Sequence, residues 1–376
     1  MKSRLIAGIA AAAVALGSVA VTAREFNASI WFPDTHPLTK FGYLGWAKTL
    51  EEQSKGQLKA KVFTGTALLP PGAHLSGLRD GVAHATYHAG TYTPSDLPED
   101  NVISMMALGV SDTMAVTFAV TDFYMTDPEM MDRFKRLGIV FAGGYATPPY
   151  NLMCTKKVET LADFKGLKVR MPGVVHSDWG KTVGIVPVNV PSSEMFTGLE
   201  KGQIDCAANA ANDMKSRSLW DVAKHTSTIS LGLYWAGWQW GFNGRFWREL
   251  KPEERRVLLD SIADTIPVMM LGYMKESADA LKEAPSKGVT VHPETEEMRK
   301  SVKDFSENVA RKAAIELGQT KLRVKDPEAL LKRFDASLAK WDGLLKNVDR
   351  NDPKALAKVL KDNLYSKIDT KTYGVN

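Results

Sequence analysis

One arginine stands out by where it sits in the chain. In the stretch LADFKGLKVRMPG, Leu161 to Gly173, the apolar residues Leu167, Val169 and Met171 alternate with Lys168 and Arg170. That period of two predicts a strand with both bases on one face, which is not a core face. Pro172 and Gly173 stop the strand, and VVHSDWGKTVG beyond them predicts a short helix with Val174, Val175 and Trp179 turned inward. Arg170 therefore stands at the carboxyl end of a strand, and in open α/β sheets the ligand crevice lies just outside such ends. A guanidinium there presents a planar fork of N–H donors that fits a carboxylate, so carboxylate recognition is the chemistry expected of Arg170, with a surface ion pair as the plainer alternative.

The other reactive side chains promise less. His84 and His88 are four residues apart, which on a strand separates them by about 13 Å, too far for a shared metal. The chain carries no P-loop, GxGxxG, GxSxG or HExxH pattern, so no metal and no cofactor are expected, and a binding protein is favoured over an enzyme, with a secreted enzyme or a solute sensor partner as the alternatives. Cys154 and Cys206 fall in two predicted strands of the same half; a disulfide between them is open, and two buried free thiols are the favoured reading.

The elements that must position Arg170 follow a repeating order. EFNASIWF, QLKAKVF and AHATYHAG read as strands separated by two helical stretches, a βαβαβ run. TDPEMMDRFKRLG continues as a helix capped by Thr126 or Asp127, and IVFAGGY and YNLMCTKK follow as strands. From Gly184 the order repeats, with IVPVNV as a strand, PSSEMFTGLEKGQ as a helix headed by Ser192 or Ser193, and IDCAANA as a strand. Beyond Leu250 the pattern is mostly helical, and Asp326-Pro327 and Asp352-Pro353 each read as a cap followed by proline at the first helical position. With about 350 residues after the leader, two α/β lobes joined by crossing strands are expected.

The chain opens with Lys2 and Arg4 ahead of an apolar run that ends in Val21-Thr22-Ala23, a secretory leader expected to be cleaved near Ala23. No second apolar run of that length is found, so the mature protein is expected in the periplasm and not embedded in the membrane. Without those two bases the formal charge drops from +5 to +3, in mixed-sign runs that give no reason to expect nucleic acid.

The stretch Asp163 to Pro172, the GIVPVNVP strand from Gly184, Ser193-Glu194 with Phe196 and Leu199, and the turn Gly202-Gln203-Ile204-Asp205 together resemble the DctP-like solute receptors of tripartite ATP-independent periplasmic (TRAP) transporters. The resemblance is specific over about 161–209 and weaker from 25 to about 258. It implies a two-lobed, Venus-flytrap periplasmic binding protein with hinge strands. Lobe I is expected over 24–147 with a return at about 236–275, and lobe II over 148–235 with helices at about 276–320. A helical extension at 321–376 departs from the family in length. The resemblance also implies an organic-acid ligand and a sodium-driven, two-component membrane permease as partner. It makes Arg170 the carboxylate-binding arginine and Asn209 a ligand contact. Tyr150 stands where many sugar-acid receptors carry a second arginine, which argues against a sialic-acid-like ligand. Phe32, Tyr87 and His88 are expected at the cleft with His36 nearby. Trp235, which differs in parity from Trp238 and Trp240, is expected as an aromatic wall. Aromatic, keto or small dicarboxylic acids are the ligands these residues would suit.

Overall fold

The computed structural model describes residues 23–375; the expected leader, apart from Ala23, lies outside them. Eleven strands form two sheets: β1 (Arg24–Ser29), β2 (Leu58–Phe63), β3 (Ala85–Ala89), β4 (Ile139–Gly143), β5 (Tyr150–Cys154), β6 (Lys168–Arg170), β7 (Val186–Val188), β8 (Cys206–Ala210), β9 (His225–Ser227), β10 (Gly237–Asn243) and β11 (Thr290–His292). The first sheet has the order β2-β1-β3-β10-β4 and the second β11-β9-β5-β8-β6-β7. In the first, β1 runs parallel to β2 and β3, while β10 is antiparallel to β3 and β4. In the second, β6 is parallel to β7 and β8, and β5 is antiparallel to β8 and β9. This is the expected two-lobed α/β fold, each sheet being the centre of one lobe.

The strand orders force the chain to cross between lobes after β4, after β9 and again after β10. The first two crossings are zipped together: Thr147 N donates to Tyr234 O (2.8 Å), Leu231 N to Tyr150 O (2.9 Å) and Tyr150 N to Gly232 O (2.9 Å). Two paired extended segments bend together about their shared hydrogen bonds, which suits a hinge. The third crossing is the helix Pro252–Glu283. By length and composition it could span a membrane, which the sequence reading did not expect of any run after the leader, but Leu258, Leu259, Ile262, Ile266, Met269 and Met270 are all buried within the protein.

Helix starts follow the side chains that satisfy free N–H groups. Asp127 accepts from Glu129 N and Met130 N, Asp326 from Ala329 N and Asp352 from Lys354 N, each with a proline next in line. The C-terminal helices lie against lobe I. In the helix Pro327–Leu345, Phe334 meets Phe123 edge-on, and Trp341 meets Phe118 while its Nε1 donates to Asp122 (2.9 Å). The tail beyond Asn363 is tied to β4 through Tyr365 to Ala142 O (2.8 Å) and Tyr373 to Phe141 O (2.7 Å).

Two local expectations are corrected. Val174 is 39% exposed, and only Val175 and Trp179 of the predicted trio turn inward, because the first residue of the helix Val174–Thr182 stands at its free end. Cys154 and Cys206 form a disulfide where free thiols were favoured: β5 and β8 are antiparallel and register these two residues directly opposite each other, their Cα atoms 4.0 Å apart.

Candidate functional site

A narrow cavity lies between the lobes, its free space about 20 Å³, room for about one water molecule, so a larger occupant enters only as the lobes part. β6 brings Arg170 to it from lobe II. The strand alternation holds for Val169 and Met171, both buried, but Arg170 is also buried, 3% exposed, whereas Lys168 on the same face is exposed. The difference is position: Lys168 lies at the outer end of a three-residue strand and Arg170 at the end that meets the other lobe. Arg170 Nε donates to Val190 O (3.2 Å) and Nη1 to Ala208 O (3.0 Å). A guanidinium has five N–H groups, so two spent on carbonyls leave three for the cavity. Among the described residues no carboxylate lies within ion-pair distance of it. A buried cation with backbone carbonyls as its only partners is a costly arrangement that an incoming anion relieves.

The rest of the wall is mainly aromatic. Trp31, Phe32, Tyr87 and Tyr92 come from lobe I, Tyr150 and Tyr234 from the crossing segments, and Tyr273 from the long helix. Tyr150 and Tyr234 stack, 6.1 Å between centroids and 9° between planes. Tyr87 stands edge-on to Trp31 and Phe32 and is fixed by a hydroxyl contact to Tyr145 (2.5 Å), which donates in turn to Ala236 O (3.0 Å). Burial pushes the Tyr150 phenol above its ordinary range, and Arg170, the next cause, pulls the other way without cancelling it, so the hydroxyl beside the guanidinium stays neutral.

A polar cluster closes one end of the cavity. Asp213 accepts from Asn209 Nδ2 (2.6 Å), Arg217 Nε (3.1 Å), Ser216 Oγ (2.9 Å) and Asn212 Nδ2 (3.2 Å). From the other lobe, His36 Nε2 comes within 3.5 Å of it, and Thr35 Oγ1 donates to Ser216 O (3.1 Å). The His36 ring stacks on Phe32 at 4.1 Å, and the Arg217 guanidinium lies 4.9 Å over the same ring. His36 Nδ1 accepts from Leu38 N (3.2 Å), which leaves the proton on Nε2, facing Asp213. Burial, then Arg217, holds the imidazole pKa well below its ordinary value, so this is a contact of a neutral ring and not an ion pair. Tyr92 adds a further link between lobes, its hydroxyl accepting from Ser192 N (3.0 Å).

Of the residues expected at the cleft, Arg170, Asn209, Tyr150, Phe32 and Tyr87 line the cavity together, with His36. Asn209 does so with its amide spent on Asp213 and Met195. His88 and Trp235 do not. His88 points to the opposite face of β3 from Tyr87, against Trp238 and Thr93. Trp235 packs on Phe334 of the C-terminal helix, 5.8 Å away, and its neighbour Tyr234 takes the wall position. Trp31, Tyr92 and Tyr273 were not anticipated. Trp31 could have been found from its place beside Phe32 in the loop leaving β1; Tyr273 lies in a helix whose apolar pattern signals only core.

Residues 28–317 match the family model described as bacterial extracellular solute-binding protein, family 7, DctP. A solute-binding protein of Albidiferax ferrireducens is 28% identical over 196 residues, 50% of this chain and 55% of that protein, so the match spans about half the length of this curated relative. Among solved structures, a TRAP solute-binding protein from Rhodoferax ferrireducens in complex with copurified benzoate superposes with a TM-score of 0.75 at 19% identity, covering 85% of this chain and 99% of that one. A TRAP periplasmic solute-binding protein from Citrobacter koseri with bound D-glucuronate gives 0.69 at 19% identity, over 83% and 99%. At this identity the likeness is one of fold.

Proposed function

The chain belongs to family 7 of the bacterial extracellular solute-binding proteins, the DctP family, and from that premise we propose that it is the periplasmic receptor of a TRAP transporter for an organic acid carrying one carboxylate on a largely apolar, ring-sized body. The observation that carries this reading is Arg170, buried with no counter-ion among the described residues, in a cavity walled mainly by aromatic rings. The ligand carboxylate takes the free edge of the guanidinium, and its body lies among Tyr150, Tyr234, Phe32 and Tyr87, where ring stacking and edge contacts contribute.

Charge counting argues for one carboxylate. Among the described residues Arg170 is the one cationic side chain of the lining: His36 is neutral and Arg217, outside the lining, is paired with Asp213. A C4 dicarboxylate would bury a second anion without a partner, which costs more than its contacts return. Because the cavity takes its walls from both lobes, a bound ligand favours the closed form, and exclusion of water then strengthens the ion pair. The closed receptor delivers its ligand unchanged to a membrane permease. Calorimetric titration with benzoate, 3-hydroxybenzoate, mandelate and succinate tests the reading. An aromatic monocarboxylate binds, succinate is weaker, and Arg170→Ala costs about 3 kcal/mol, roughly a hundredfold in affinity. Equal binding by the variant, with its fold intact, would move the carboxylate elsewhere.

A further inference from the structure

Trp31 follows β1 and is 2% exposed. Its ring is held on several sides, edge-on to His74 (4.8 Å) and Tyr87 (4.6 Å) and stacked on Tyr92 (5.6 Å), so its direction is set by packing. Its indole Nε1–H nevertheless finds no acceptor among the described residues. Trp235 and Trp240 share that condition, but neither touches the cavity, whereas Trp31 lines it. The nitrogen itself shows almost no surface to the cavity in this arrangement, so a ligand oxygen reaches it only as the aromatic wall parts; a buried donor without an acceptor is uncommon in folded proteins, and on a residue that lines a ligand cavity the ligand is the partner that can satisfy it.

We infer that Trp31 is a specificity-determining residue: its indole N–H donates to an uncharged oxygen on the ligand, so that the receptor selects hydroxy- or oxo-substituted monocarboxylates over their unsubstituted parents. The inference rests on the proposed function and sharpens it. The acceptor is uncharged because, among the described residues, the cavity lining holds no cation beyond Arg170 to neutralise a second anion. It is distinct from the anchored carboxylate because Arg170 comes from β6 of lobe II and already has free N–H groups for both carboxylate oxygens, while Trp31 comes from lobe I. The ligand thus bridges the lobes, its carboxylate on one and its hydroxyl or carbonyl oxygen on the other. A site with a donor aimed at a substrate oxygen discriminates strongly against the analogue that lacks it, since the donor is then left buried and unpaired.

The test compares pairs of acids that differ by one oxygen, benzoate with 3- and 4-hydroxybenzoate and phenylacetate with mandelate, titrated into wild type and Trp31→Phe. Wild type prefers at least one oxygenated member by about tenfold or more, and in Trp31→Phe the ratio of the two affinities falls to about one, the oxygenated acid losing more than its parent. A preference that survives Trp31→Phe, or an equal loss for both members of a pair, overturns the inference, the latter because Trp31 would then be serving the carboxylate. In either of these cases binding that still collapses in Arg170→Ala leaves the receptor reading standing. Failure of every acid to bind wild type overturns both. Should Trp31→Phe not fold, the indole N–H signal of Trp31 in 15N-labelled wild type gives the same answer: it moves downfield with the oxygenated acid relative to its parent, and identical positions with the two refute the inference.

Discussion

Replacing Asp213 by asparagine isolates what holds the end of the cavity. The carboxylate is 1% exposed and accepts four hydrogen bonds within lobe II, from Asn209, Asn212, Ser216 and Arg217. Asparagine keeps the shape but turns one acceptor oxygen into an amino group that faces donors. It also leaves Arg217, whose side chain is 9% exposed, with no counter-ion. Breaking a buried pair by removing one partner costs about 3–5 kcal/mol, mainly because a charge is left desolvated, and that is the loss expected for Asp213→Asn in urea unfolding followed by circular dichroism. Ligand affinity falls by a smaller amount, about 1 kcal/mol, because Asn209 loses its tether while Arg170 is untouched. Arg217→Met in the same background removes the stranded charge, so the double variant is more stable than Asp213→Asn alone, with a coupling of about 1.5 kcal/mol or more. Stability within about 0.5 kcal/mol of wild type for Asp213→Asn, or strict additivity in the double variant, would refute the reasoning.

Three further outcomes follow from the geometry. The disulfide closes a sequence separation of 52 residues, for which loop-closure entropy gives about 4 kcal/mol; replacing both cysteines by serine lowers the unfolding free energy by that order without changing ligand affinity, and an unchanged urea midpoint would contradict it. Burial holds His74 and His176 at about 4 and His88 at about 3 and keeps His36 well below 6.5, while Asp100, also by burial, is pushed up to about 7. Between pH 5 and 6 the unfolded chain therefore protonates four histidines that the folded one leaves neutral, while the folded chain keeps one carboxyl proton that the unfolded one loses. The histidine contribution is fully present above 6.5 and lost as pH falls, the Asp100 contribution runs the other way, and unfolding takes up about three protons from these five groups, with His84 and His225, also lowered by burial, adding to the uptake; a stability that rises on acidification across this window would exclude the account. Trp341→Ala removes a fully buried ring from the C-terminal helix and costs about 3–5 kcal/mol, read by urea unfolding, with ligand affinity retained; loss of binding without loss of stability would instead place the extension in the binding mechanism.

How much of this was legible in the sequence depended on how local the cause was. The end of β6, the proline-marked helix starts and the α/β order come from neighbours in the chain, and all were readable. Arg170 was placed correctly at a strand end, but its burial was not visible, because the wall that covers it comes from the other lobe. Trp235 shows a subtler failure. The parity count from Tyr234 to Trp240 assumed one continuous strand, whereas β10 begins at Gly237, whose backbone φ is +91°, and its register shifts between Trp238 and Gly241. Residues before Gly237 therefore do not share the alternation of those after it, and Tyr234, not Trp235, reaches the cavity. A side chain on Gly237 would lie 2.0 Å from His88 O, so the break in parity and the close pairing of β3 with β10 have the same origin. The disulfide and Tyr273 were hidden for a common reason: each depends on contacts between segments far apart in sequence, which neither period nor spacing records.

The most direct test of the central claim is native mass spectrometry of the freshly purified protein beside its Arg170→Ala variant, with released small molecules identified after denaturation. The account predicts a co-purifying or readily loaded organic acid with one carboxylate on the wild-type protein, absent from the variant at equal fold and concentration. The same acid retained at equal occupancy by Arg170→Ala would contradict it.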